Sequence, residues 1–450
     1  MDYIIYFIIT IAILVFIHEF GHFAAAKLSK MRVDIFAIGF GKRLFGWNKL
    51  NGFTFGDLPA DWDGQGNTDY RICLFPLGGY VKIAGMIDES LDTKFIESEP
   101  QPYEFRSKST IQKLFVISAG VIMNLILTLA IFWGINYFIG KQVFKSTTIS
   151  KIEKGSIAEK VGFQSYDKII SINNKPVKNW DDVVENIFTP SNQNIYVKVL
   201  RNSDTVAFNF SSKVVTENTQ NGFFIFPYPT QPYIQDVMKN SPAEEAGIKP
   251  GDIFISIAGI KVQDREQVVQ IISSNKEKNL EVVILRNNDT LKTIVNPGIE
   301  GKIGIAVSDA YTGEFEYKTY GVLSAFTHSV ANIGNYTVLT FGMLKKVITG
   351  KIPFNQAFGG PVKIAQYAAK SADSGTISFL YFLAMLSLSL AIINILPFPA
   401  LDGGHFIIIF LEGIFRRELP LKVKIAIQNA GFIILLILMA FIIYNDLISL

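Results

Sequence analysis

The residues best suited to chemistry lie in "FIHEFGHFAA" (16–25), where His18, Glu19 and His22 form an H-E-x-x-H pattern. On a helix, histidines at i and i+4 share one face and can bind a single zinc ion. At roughly 100° per residue, Glu19 lies about 60° round from His22 and can reach a water beside the metal. All three follow Tyr3–Ile17, a run without a single charge. Ionisable groups in such a setting are costly to desolvate and point to function. Catalytic zinc usually takes three protein ligands, yet no His or Glu sits on a plausible helix just downstream. Asp402, in "NILPFPALDGGH" (394–405), is the best candidate for the third. Pro397 and Pro399 break the helix there, and Gly403–Gly404 let the backbone turn and aim a carboxylate sideways. His405 falls in the same stretch and reads as structural.

The elements that must position these groups are membrane spans. Four stretches reach the length of about 20 apolar residues that a crossing helix needs: Tyr3–Ala26, Leu114–Ile139, Ile377–Pro397 and Ile425–Tyr444. The first lacks a basic n-region and reads as a retained helix, not a signal peptide. Lys27, Lys30 and Arg32, then Arg106, Lys108 and Lys113, then Arg416, Arg417, Lys422 and Lys424 flank the inner ends of the spans. The positive-inside rule therefore predicts both termini and the long 140–376 segment outside, with the histidines and Asp402 toward the cytoplasmic side. A hydrophobic fraction of 49% suits partial embedding in lipid, and 42 basic against 39 acidic side chains give no nucleic-acid signal. Cys73 is the only cysteine, which excludes an intramolecular disulfide and a Cys-based zinc site.

The exterior segment repeats itself. "GSIAEKVGFQSYDKIISINN" (155–174) aligns without gaps on "NSPAEEAGIKPGDIFISIAG" (240–259), and the same offset pairs Gly162 with Gly247, Asp167 with Asp252, and Arg201 with Arg286. Each copy resembles a bacterial, circularly permuted PDZ domain, the second more closely than the first. Such modules bind extended peptides at a sheet edge; the alternative is a pair of rigid spacers. "YRICLF-PLGG-YVKI" (70–83) reads as two short strands round a turn, too apolar for an ordinary loop. At membrane depth such backbone must be buried in protein or line a cavity. Its second arm, Gly79, Val81 and Ile83, is placed to pair with an unwound substrate strand, or else merely plugs the bundle. Residues 320–370, interrupted by Gly and Pro, read as membrane-surface helices.

"HEFGH" in the first span, "LDGG" after the third and tandem PDZ modules between them resemble the site-2 intramembrane metalloproteases. "IGFGK" (38–42), "FGGPVKIAQ" (358–366) and "INILPFPALDGGH" (393–405) match in kind. One departure is "SAGVIMN" (118–124), with Val121 where the family commonly has proline. The resemblance implies zinc held by His18, His22 and Asp402, Glu19 as general base, and Asn394 holding the substrate backbone, against a helix–helix hydrogen bond as the plain alternative for that amide. Asn124 is read as such a helix–helix bond. The fold class expected is a polytopic α-helical membrane protein, four transmembrane helices with a re-entrant β-hairpin (about 70–85). Two tandem α+β PDZ domains (140–225 and 226–310) are inserted between helices 2 and 3, followed by linker helices (311–376) and the last two spans (377–450). The implied activity is zinc-dependent regulated intramembrane proteolysis of single-span proteins in the bacterial inner membrane, with anti-sigma factors already cut outside, and remnant signal peptides, as substrates. Peptide termini or exterior domains would meet the PDZ modules. A catalytically silent PDZ scaffold is the alternative.

Overall fold

The computed structural model describes residues 2–59, 62, 64–86, 99–188, 194–214, 225–286, 289–350, 353 and 359–448. The chain divides into two compact units, Met1–Gly140 with Thr319–Leu450, and the inserted Lys141–Lys318. It opens with α1 (Asp2–Leu28), β1 (Val33–Asn48), β2 (Gly52–Phe55), β3 (Asp69–Ile83) and α2 (Thr110–Phe138). Helix α2 begins at a capping box, the Ser109 hydroxyl accepting from the Gln112 amide while the Gln112 side chain accepts from the Ser109 amide, so two otherwise orphaned donors are satisfied.

The inserted unit contains β4 (Lys141–Phe144), α3 (Ile157–Lys160), β5 (Lys168–Ile172), β6 (Lys175–Pro176), α4 (Trp180–Phe188), β7 (Asn194–Arg201) and β8 (Asp204–Ser211). The order then repeats with β9 (Thr230–Val237), α5 (Pro242–Glu245), β10 (Ile253–Ile257), β11 (Ile260–Lys261), α6 (Arg265–Ser274), β12 (Leu280–Arg286), β13 (Asp289–Val295) and β14 (Ile305–Tyr311). Separate cores fill the two copies, around Ile169, Val183 and Val197 in one and Phe254, Val268 and Val282 in the other. The aligned polar residues become one device used twice. Arg201 grips Asp167 through two hydrogen bonds of 2.8 and 2.7 Å and donates to the Gly162 carbonyl at 2.7 Å. Arg286 grips Asp252 at 2.6 and 2.7 Å and donates to the Gly247 carbonyl at 2.7 Å. Strand β15 (Phe315–Lys318) pairs with β4 and so belongs to this unit, past the expected boundary at residue 310.

The chain ends with α7 (Val322–Ile348), α8 (Pro361–Asp373), α9 (Thr376–Ile395), α10 (Asp402–Phe415) and α11 (Leu421–Ile448). Among the described residues four helices are long and apolar enough to cross a bilayer, and each overlaps an expected span: Tyr3–Leu28, Thr110–Phe138, Thr376–Ile395 and Lys422–Asp446. Helices form in the described part of 320–370, as expected, but the first is longer than its glycines suggest: residues 322–348 run unbroken, because Gly334 and Gly342 are tolerated at about 1 kcal/mol each, and Pro361 stands at the start of α8, where its ring is preformed for the first turn. Helix α7 packs along α2, where Asn136 donates to the Ser329 hydroxyl at 2.8 Å.

The hairpin is also more than two strands. The first half of β1 lies between both arms of β3, with Ile38 paired to Gly79 and to Ile72, before β1 bends and pairs Trp47 with Tyr70. Gly39 makes that bend possible: its φ is +88°, and a Cβ there would lie 2.8 Å from the Phe75 carbonyl oxygen. The sheet packs through Val33, Phe36, Val81 and Ile83 onto Ala25, Val116 and Ile409 of three helices.

Candidate metal centre

Helix α1 presents His18 and His22 from consecutive turns, with ring centroids 4.9 Å apart. Asp402 reaches them from the first turn of α10. Between α9 and α10 the backbone folds back tightly: Phe398 donates to the Leu396 carbonyl at 2.7 Å and Leu401 to that of Phe398 at 3.1 Å. Gly403 and Gly404 lie so close to the carbonyls of Ile395, Leu396 and Phe398 that no side chain fits at either position. The prolines and glycines of the sequence therefore do what their types suggest, and the carboxylate is aimed across the helix ends.

Three ligand atoms converge. His18 Nε2 and His22 Nε2 are 3.3 Å apart, and Asp402 Oδ2 lies 3.3 and 3.5 Å from them. Ligands about 2.0–2.1 Å from a tetrahedral zinc stand roughly 3.3 Å from one another, so the triangle has the size that the ion demands. All three side chains are less than one-fifth exposed. Asp402 Oδ2 is buried without a hydrogen-bond partner among the described residues, an arrangement costly to maintain unless something else neutralises it. His22 Nδ1 lies 2.9 Å from the Val116 carbonyl oxygen, a contact that places the proton on Nδ1 and turns the Nε2 lone pair inward. Two nitrogens and one carboxylate oxygen form a donor set that suits zinc.

A model of peptidase family M50 matches residues 6–438. The chain belongs to peptidase family M50. It is 30% identical over 99% of its length to the regulator of sigma E protease of Haemophilus influenzae, covering 98% of that protein. It is 30% identical over 98% to a putative zinc metalloprotease of Vibrio cholerae, of which it covers 97%. With the regulator of sigma-E protease RseP of Escherichia coli the identity is 28%, over 98% of this chain and 97% of that one. Among solved structures, the PDZ domain of an SdrC-like protein from Listeria monocytogenes is matched over 18% of this chain and 90% of its own, at 18% identity and a TM-score of 0.16. As an M50 peptidase, a site-2-type enzyme, the protein is a zinc-dependent intramembrane metalloprotease.

Around this M50 centre, Asn394 stands in the last turn of α9 with its amide 3.5 Å from His18 Nε2. Glu19 is half-buried beside the second arm of β3; a Cβ on Gly79 would come within 3.2 Å of its Cγ. Gly79, Val81 and Ile83 are buried, the last two in the core. The Val81 and Ile83 side chains therefore face the core, and what this arm offers along its length is main chain. It pairs with β1 along one edge, and no strand among the described residues pairs with the other. His405 stays outside the triangle, with its Nε2 3.5 Å from the Gln428 amide.

One functional residue escaped the sequence reading, and a second was read without its partner. A Cβ on Gly120 would collide with both imidazoles, reaching 2.6 Å from His18 Cε1, so this glycine gives the rings their room against α2. Asn124, read as a helix–helix bond, makes one from α2 to α1, and its partner there is His18, whose Nδ1 lies 3.2 Å away. The available signal was its spacing: Val116, Gly120 and Asn124 recur every four residues along one face of α2.

Proposed function

We propose that this M50 peptidase cuts single-span membrane proteins within or near the bilayer, using zinc held by His18, His22 and Asp402. The observation that carries the reading is the buried triangle of ligand atoms with sides of 3.3, 3.3 and 3.5 Å. Bound there, zinc supplies a Lewis acid for the scissile carbonyl and makes a water acidic enough to attack at neutral pH. Glu19 takes the proton of the attacking water and delivers it to the leaving amine. Asn394 holds the substrate main chain beside His18.

A transmembrane helix has its peptide bonds hydrogen-bonded internally and must open before it can be cut. The Gly79–Ile83 arm, which lies at the outside of its sheet and runs past Glu19, supports a role in holding the opened segment extended by main-chain pairing. The substrate class that fits is a single-span protein already trimmed on the exterior side. Anti-sigma factors and remnant signal peptides are the substrates in view, the first in keeping with relatives named regulators of sigma E. The two repeated modules, read as PDZ domains, then screen out substrates with bulky exterior domains. The flanking basic residues support an inner-membrane orientation with both termini and the modules outside, and the zinc toward the cytoplasmic side.

The test is cleavage of a tagged single-span reporter without a bulky exterior domain, by purified wild type and Glu19→Gln, with zinc assayed in both. Cleavage by wild type alone while both hold zinc supports the reading. Equal cleavage by the two would remove Glu19 from the mechanism, and loss of zinc from the glutamine variant would make it part of the metal site. A second reporter carrying a folded exterior domain tests the screening: equal cleavage of both reporters would end that part of the proposal.

A further inference from the structure

Helix α2 supplies no metal ligand in this reading, yet it touches both histidines. The Val116 carbonyl lies 2.9 Å from His22 Nδ1. One turn on, Gly120 leaves space for the rings. One turn further, the Asn124 amide lies 3.2 Å from His18 Nδ1. Asn124 is fully buried, and its turn is pinned from α9, where the Ser387 hydroxyl donates to its main-chain carbonyl at 2.8 Å. Thr128, one turn along, is also buried and spans 3.0 Å to the same carbonyl and 3.1 Å to that of Ala384.

The amide as placed points nitrogen at the ring and leaves Oδ1 buried without a partner among the described residues. Oxygen and nitrogen of an amide have nearly the same shape, so the chemistry of the neighbour assigns them. An imidazole that offers Nε2 to a metal carries its proton on Nδ1. The group facing Nδ1 must then accept, which puts Oδ1 there.

We propose that Asn124 is the positioning residue of His18: its Oδ1 accepts the Nδ1 proton, fixing both the tautomer and the ring angle that direct Nε2 at the zinc. Val116, Gly120 and Asn124 together form a socket on α2 in which a carbonyl, a gap and an amide seat the two ligands of α1. The proposal rests on His18 being a zinc ligand.

The experiment measures zinc affinity of the purified full-length protein by competition with a chelator, and the visible spectrum of its cobalt-substituted form. Asn124→Leu keeps the volume and removes the acceptor; the expected result is zinc binding weaker by about 10–100-fold. Asn124→Asp keeps an acceptor and adds charge, so it should bind zinc within a few-fold of wild type and shift the cobalt bands. His18→Ala separates the two levels of the argument. If it binds zinc like wild type, the ligand reading fails and this proposal with it. If it loses zinc while Asn124→Leu binds normally, Asn124 only packs. Should the leucine variant not fold, a cobalt spectrum of Asn124→Asp identical to wild type would overturn the proposal by itself.

Discussion

Buried aspartates occur in both units, and the company they keep is different. Asp167 and Asp252 in the inserted unit are each gripped by two hydrogen bonds from one arginine. In the membrane unit, Asp69 is held the same way by Arg43, itself almost wholly buried, at 3.2 and 3.1 Å. These charges are neutralised within the chain, as burial requires. Asp402 has no such cation. Its Oδ2 faces two imidazoles and no hydrogen-bond donor of normal geometry among the described residues. The first arrangement completes a fold; the second needs an ion to complete it.

The largest effects should come from breaking the second arrangement. Asp402→Ala is expected to abolish both zinc binding and cleavage, measured by metal analysis and the reporter assay. Glu19→Gln should keep the metal while cleavage falls by about 10²-fold or more. The inserted unit should respond in the opposite sense. Arg286→Met strands the Asp252 carboxylate, and losing one partner of a buried pair costs about 3–5 kcal/mol. Hydrogen exchange in the intact protein should show the second module loosened while zinc content stays at the wild-type level. Because the geometry is repeated, Arg201→Met should loosen the first module to a similar degree. A variant of either arginine that emptied the metal site would erase the distinction between the two kinds of aspartate.

A smaller effect is expected at Gly120. A methyl group there overlaps both rings, and overpacking of this kind costs about 1–3 kcal/mol. Gly120→Ala should weaken zinc binding with little change in either repeated module. If the affinity is unchanged, α1 has room to move away from α2 and the socket is looser than its geometry implies.

Much of this was legible because it is local. The i, i+4 histidines, the proline break with its two glycines and the matched Asp and Arg of the repeat each report a short-range geometry that spacing encodes. The partner of Asn124 was not, because a helix–helix bond read from one span does not say which residue of the other helix it meets, here His18, 106 residues away. Nor did local pattern reveal that one strand would lie between both arms of β3, since that depends on the bend at Gly39. The helices of 320–370 were legible in their apolar spacing, but not the unbroken length of α7, because two glycines cost little beside the packing of a 27-residue helix.

The smallest effect separates a third kind of buried acid. Asp309, partly buried where the two modules meet, accepts a hydrogen bond from the Arg265 amide at 2.8 Å, but among the described residues no arginine grips it in two hydrogen bonds. Asp264, Arg265 and Lys151 also face it; Lys151 binds Asp264 at 3.0 Å, and Arg265 binds Glu153 at 2.9 Å. Burial, with the like charge of Asp264 added to it, outweighs the Arg265 and Lys151 contacts and raises the Asp309 carboxyl above its ordinary range. A carboxyl raised on folding contributes its stability when protonated and loses it as pH climbs through the folded value. Asp309→Asn keeps an acceptor for the Arg265 amide and removes the charge. It should therefore raise the thermal midpoint of the inserted unit slightly at pH 7, with the gain over wild type closing toward about pH 4. The opposite sign, a variant less stable at neutral pH, would mean that Lys151 and Arg265 compensate Asp309 after all, placing it with Asp167 and Asp252 as a charge that the fold has satisfied.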